Sequence, residues 1–330
     1  MGSRPSALLI DSGTVPLLDQ GMKLTARLPK LLLTTLVFTA CLVSVSGKDT
    51  RKLVLIAGKP SHPPLMHEFR AGCLLLEKCL QGVKGLEVEV HDNGWVDDES
   101  TFDDADAVVI YADGGGKHPA LQGDNLKTLK KLIERGVGFG CMHYGVEVPP
   151  GKANDEFQAW IGGHYENMFS CNPIWEPKFD SLPKHPTTRG VEPFAIKDEW
   201  YFNMRFIGGI EGNEPHREQG LKFTPILVAK PSDLVRRGPY VYPKGPYDHI
   251  IASSGRDEAM LWVVERPDGG RGFGFTGGHF HVNWGNDSFR KVVLNTLNWV
   301  AKNSVPKNGI ESEVSEYDLQ QNLDKKAPRK

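Results

Sequence analysis

The chain has 330 residues, 39% of them hydrophobic and 24% charged, which fits a globular protein and excludes collagenous, disordered and membrane-embedded classes. At about 150 residues per domain, that length holds one large domain or two small ones. Lys and Arg total 39 against 41 Asp and Glu, a formal net charge of -2, so no global positive field draws in nucleic acid or anionic lipid. Partners are therefore expected at a local site.

The first element in chain order reads as an export signal over residues 1–47, with Met22 as an alternative start. Lys23, Arg27 and Lys30 precede an apolar run over residues 31–43, and Ser44, Ser46 and Gly47 follow it. The run is short for a membrane span and leads into Lys48-Asp49-Thr50-Arg51. Cleavage near Ser46 or Gly47 is expected, giving a periplasmic or extracellular protein with no stable span. An uncleaved anchor and lipidation at Cys41 are the competing outcomes. Export permits disulfides, yet Cys73 and Cys79 stand six residues apart on one expected helix and face different ways. Together with Cys141 and Cys171 they are expected as buried free thiols.

In the mature chain, residues 52–57 form a short apolar run ending at Gly58, and residues 69–80 carry apolar positions at helical spacing. Residues 86–90 alternate as a strand, and 107–111 are continuously apolar, as suits the centre of a parallel sheet. A helix over 126–134 stops at Gly136, and 137–142 return as a strand. Strands alternating with helices define an α/β fold with a doubly wound, mostly parallel sheet. From about 166 to 244 the pattern becomes an irregular insertion, read as covering one edge, with 225–229 its convincing strand. Residues 259–264 and 272–276 then make a hairpin through Pro267-Asp268-Gly269-Gly270, and a helix over 289–301 closes the domain at 302. The polar tail, 303–330, is either packed on the surface with some helix or disordered.

Ligands of such a sheet bind outside the carboxyl ends of its strands. Histidines accumulate there: His62 and His67 after the first strand, His143 after the fourth, His279 and His281 after the last, five of the eleven in the chain. Their convergence suits acid–base or metal chemistry. Cys141-Met142-His143-Tyr144-Gly145 resembles a nucleophile elbow, the strand-to-helix turn that presents a catalytic residue, with histidine at its apex. Cys141 falls inside the strand and is not expected to act as a nucleophile.

Several blocks occur in a telling order: Ile56-Ala57-Gly58 with Ser61-His62 and His67-Glu68, the Cys141-Met142-His143 elbow, Trp160-Ile161-Gly162-Gly163, Asp198-Glu199-Trp200-Tyr201, and Gly277-Gly278-His279 ahead of Asn283-Trp284. Over about residues 52–302 the chain resembles the ThuA-like, or trehalose-utilisation, family. The resemblance implies a class I glutamine-amidotransferase-like, flavodoxin-like fold whose elbow cysteine is lost, so glutamine hydrolysis is not expected. It also implies trehalose use and cleavage of 3-keto glycosides with a divalent metal. The residues can support this, with His143, Glu199 and His279 as ligands of zinc or a similar ion. A 3-keto group acidifies the C2 proton, which His281 or His67 would remove before the C1 substituent is eliminated and water is added. Contacts to a small carbohydrate are assigned to His62, His164, Trp200, Tyr201 and Trp284, although the aromatics suit a core equally well and His164 also suits a ligand or base. The rival readings are a secreted sugar-binding protein without catalysis and a thiol-dependent amidase acting through Cys141.

Overall fold

A computed structural model describes residues 50–209 and 214–327, so the expected export signal and Cys41 lie outside the described residues. Eight strands build the main sheet: β1 (Arg51–Ala57), β2 (Leu86–His91), β3 (Ala107–Tyr111), β4 (Gly138–Met142), β5 (His216–Glu218), β6 (Leu221–Ala229), β7 (Glu258–Glu265) and β8 (Arg271–Phe275). Their spatial order is β5-β6-β7-β8-β4-β3-β1-β2. From β8 to β2 every neighbouring pair is parallel. From β5 to β8 every pair is antiparallel.

The continuous apolar runs of β1 and β3 exist because both faces of the sheet are covered. Side chains alternate across a strand, so Leu53, Leu55, Val109 and Tyr111 enter one core while Val54, Ile56, Val108 and Ile110 enter the other. Helices α1 (Phe69–Leu80) and α4 (Asp287–Val300) pack into the first core, and α2 (Asn125–Glu134) and α3 (Asn154–Ile161) into the second. This is the doubly wound, mostly parallel architecture expected from the sequence. Where β4 meets β8 the backbones approach so closely that a Cβ on Gly140 would stand 2.1 Å from the Phe273 ring.

The segment read as an irregular insertion does more than cover an edge. Its later part supplies β5 and β6, which extend the sheet, and Pro225 is accommodated where the β6–β7 register shifts. Its earlier part makes two-residue ribbons, Ile174–Trp175 with Asp198–Glu199 and Lys178–Phe179 with Phe194–Ala195. The tail through residue 327 is ordered on the surface, with one helical turn at Glu316–Leu319. Cys73, Cys79, Cys141 and Cys171 are free and buried. No helix among the described residues is long and apolar enough to cross a membrane.

Candidate metal and substrate site

Register aligns the strand exits: Ala57 stands beside Tyr111, Tyr111 beside Met142, and Met142 beside Phe275. The chain leaves β1 toward β2 on one side and β3 on the other, and a crevice opens at that switch point. The β1 exit loop is tied to the β8 exit loop by backbone bonds, His67 N donating to His279 O at 3.1 Å and His281 N to Leu65 O at 2.9 Å. The tail adds a strap. Lys326 Nζ donates to the carbonyls of Met66 and His67 and pairs with buried Glu68 at 3.1 Å. The β8 exit is fixed by buried Asp198, whose carboxylate accepts from Gly278 N, His279 N and Asn283 Nδ2.

These constraints bring together four buried side chains, His67, His143, Glu199 and His279. His67 Nε2 lies 3.0 Å from both His143 Nε2 and His279 Nδ1; His279 Nδ1 lies 3.3 Å from His143 Nε2 and 2.7 Å from Glu199 Oε2. The hydrogen bonds on the other ring nitrogens set the tautomers. His143 Nδ1–H donates to Thr276 O at 3.0 Å and His67 Nδ1–H to Asp113 Oδ1 at 2.8 Å, so each presents a bare Nε2 to the centre. Burial, reinforced by the neighbouring imidazoles, holds both rings well below the usual imidazole pKa, and both are neutral at pH 7. Both also sit at positive φ, 49° and 53°, a conformation costing about 1–2 kcal/mol that the surrounding ties must sustain. Asn172 Nδ2 donates to the second Glu199 oxygen at 2.8 Å, and Tyr201 OH stands 3.2 Å from His143 Nε2.

The quartet opens into a cleft of about 470 Å3, within the range of small-molecule sites. His62, Asp113, Tyr144, Glu147 and Tyr242 help to line it. His62 Nδ1 is 3.0 Å from Ser61 Oγ, which in turn donates to Asp113 Oδ1 at 3.0 Å, so Asp113 orients both histidines of the β1 loop.

Of the residues expected at the site, His62, His67, Glu199 and Tyr201 line the cleft, and buried His143 and His279 complete the quartet behind it. His67 stands with the converging donors rather than in a base's position, because Asp113 turns its free nitrogen toward them. The other four lie elsewhere. Trp200 and Trp284 are fully buried in the core around Phe289. His164 is buried with Nε2 3.0 Å from Asn154 Nδ2, and burial lowers its pKa to about 4. His281 is buried beneath the loop, its ring nitrogens make no hydrogen bond among the described residues, and burial takes it to about 4 as well. Cys141 is buried in β4 and its thiol is pushed far above the usual range, which removes it as a nucleophile. The sequence reading passed over Asp113, Glu147, Asn172 and Tyr242. Asp113 carried a usable signal, since it follows β3 under the same strand-exit rule that found the histidines.

A mostly parallel sheet with its polar groups gathered at the strand exits, and histidine at the elbow after β4, defines a class I glutamine-amidotransferase-like protein without the nucleophilic cysteine. The chain belongs to the trehalose-utilisation family, ThuA, whose family model matches residues 66–300. Among solved structures it is similar to a putative ThuA-like protein from Bacteroides uniformis, with 13% identity, TM-score 0.51, and coverage of 76% of this chain and 91% of that one. A putative ThuA-like protein from Parabacteroides merdae aligns with 16% identity and TM-score 0.49 over 82% of this chain and 99% of that one. No curated protein matches the chain.

Proposed function

We propose that this protein is an exported carbohydrate-catabolic enzyme that cleaves oxidised (3-keto) glycosides or disaccharides by elimination and hydration, aided by a divalent metal such as zinc. The observation that carries the proposal is the pair of bare imidazole nitrogens held 3.0 Å apart with a third nitrogen and a carboxylate oxygen against them. Two lone pairs at that distance repel each other, and a cation between them reverses the sign of the interaction. Ligand atoms about 2.0–2.2 Å from one ion stand roughly 3.0–3.5 Å apart, so the nitrogen spacing fits. When bound, such an ion polarises a ketone or hydroxyl oxygen and acidifies the adjacent C–H.

The chain's own groups supply the remaining functions. His62, which lines the cleft with Nδ1 3.0 Å from Ser61 Oγ, takes the C2 proton, the role that neither His67 nor His281 is placed to fill. Tyr242, 73% exposed at the cleft, offers a ring face for the apolar side of a sugar. Family membership supports a carbohydrate substrate. Export rests on the basic, apolar and small residues of positions 23–47.

The test is product release from a 3-keto glucoside by the tag-free, metal-loaded protein, followed by mass spectrometry. Release of the free leaving group is expected. Tight sugar binding without any product would instead establish a binding protein. Asp113→Asn is expected to weaken metal affinity about 10–100-fold, because the support that orients the His67 ring is lost. Unchanged affinity in a chelator competition would remove Asp113 from that role.

A further inference from the structure

Glu147 is a half-buried acid of the cleft that the chemistry above leaves unused. A single 3-10 turn, His143–Val146, leads from the elbow histidine to Glu147. Three residues per turn place i and i+3 above one another, so Tyr144 and Glu147 share a face, and both line the cleft that holds Glu199. The backbone at Glu147 is locked from two sides. Gly115 N donates to Glu147 O at 3.0 Å, and Glu147 bridges to Tyr165, whose N donates to Val146 O at 2.9 Å. The packing is close enough that a Cβ on Gly114 would stand 2.1 Å from Tyr144 O and 2.9 Å from Glu147 Cβ.

The side chain is not used for structure. Among the described residues the Glu147 carboxylate makes no hydrogen bond or ion pair. The titratable groups around it are Tyr144 on its own turn, Tyr165 on the paired segment, Glu199 and Tyr201 in the cleft and Asp113 at the β3 exit, with Lys117 on the exposed rim. Burial, and then the Glu199 charge, raise the Glu147 carboxyl to about 7, so much of it carries a proton at neutral pH.

Resting on the cleavage reading above, we propose that Glu147 is the general acid, delivering its proton to the glycosidic oxygen as the C1–O bond breaks. His62 takes the C2 proton, the C–H electron pair becomes the C1–C2 double bond, and the C1–O pair leaves on the oxygen that the Glu147 proton then neutralises. In hydration the roles reverse. The Glu147 carboxylate takes a proton from water as hydroxide adds to C1, and protonated His62 returns its proton to C2, so both groups end as they began.

The test compares two 3-keto glucosides in wild type and Glu147→Gln, one with a sugar leaving group and one with 4-nitrophenolate, which needs no proton to leave. Glu147→Gln is expected to slow the sugar substrate about 10²–10⁴-fold and the nitrophenyl substrate less than about tenfold. Equal slowing of both, or of neither, overturns the assignment while leaving the cleavage reading intact. A wild type that releases neither leaving group overturns the cleavage reading, and with it the role of Glu147. Metal content and melting temperature report whether Glu147→Gln has folded. If it has not, Glu147→Asp is put through the same comparison, with the sugar leaving group again expected to be slowed selectively.

Discussion

His279→Ala is expected to reduce turnover more than about 100-fold while the protein remains folded, since loss of an outer support alone costs about 10–100-fold and this change removes one of the four proposed ligands. His279 Nδ1 is the point where the quartet closes, within 3.0 Å of His67, 3.3 Å of His143 and 2.7 Å of Glu199. Its loop does not depend on the ring. The backbone N–H groups of Gly278 and His279 are held by Asp198, and His279 O accepts from His67 N, bonds that alanine preserves. Circular dichroism should therefore match wild type while product release falls. Unchanged turnover would remove His279 from the site.

Arg236→Met is expected to have the largest effect on stability, about 3–5 kcal/mol, because it leaves a buried carboxylate short of a cation. Arg236 and Glu258 are 0% and 1% exposed, and Arg236 Nη1 donates to Glu258 Oε1 at 3.0 Å and to Ser253 Oγ at 2.6 Å. Arg256 Nη2 donates to the same Glu258 oxygen at 2.9 Å, and Asn203 N donates to the other at 3.2 Å. Even with both arginines present, burial keeps the Glu258 pKa above its ordinary value. Losing one of them should lower the melting temperature by roughly 10 °C. Because the network clasps Asn203, two residues beyond Tyr201, the damage should extend to the cleft. Adding Glu258→Gln removes the buried charge while its one amide oxygen still accepts from Arg256, so the double variant should recover part of the loss. A double variant that melts below the single one would contradict this account.

The sheet was legible because its physics is local. Strands buried on both faces read as unbroken apolar runs, and α1 and β3 fall at the bounds their patterns imply. The strand-exit rule then located His62, His67, His143 and His279 before any geometry was known. Roles were harder to read than positions. The partner that turns His67 toward the quartet, Asp113, lies 46 residues away, and no spacing rule links them. His281 follows the same strand as His279, yet it turns into the interior. Trp200 adjoins Glu199 in sequence, but alternation along the short Asp198–Glu199 ribbon sends its ring into the core, where it packs on Phe179 and Phe275. Glu147 and Asn172 belong to irregular segments whose burial comes entirely from tertiary contacts, so periodicity carried no sign of them.

The account stands on the proposal that four side chains, His67, His143, Glu199 and His279, hold one cation. Its most direct test is the metal content of the tag-free protein after incubation with divalent ions and dialysis, in wild type and in the His143→Ala/His279→Ala double variant. One equivalent of metal in wild type and almost none in the folded double variant is the expected result. Metal absent from both, or retained equally by both, would contradict it.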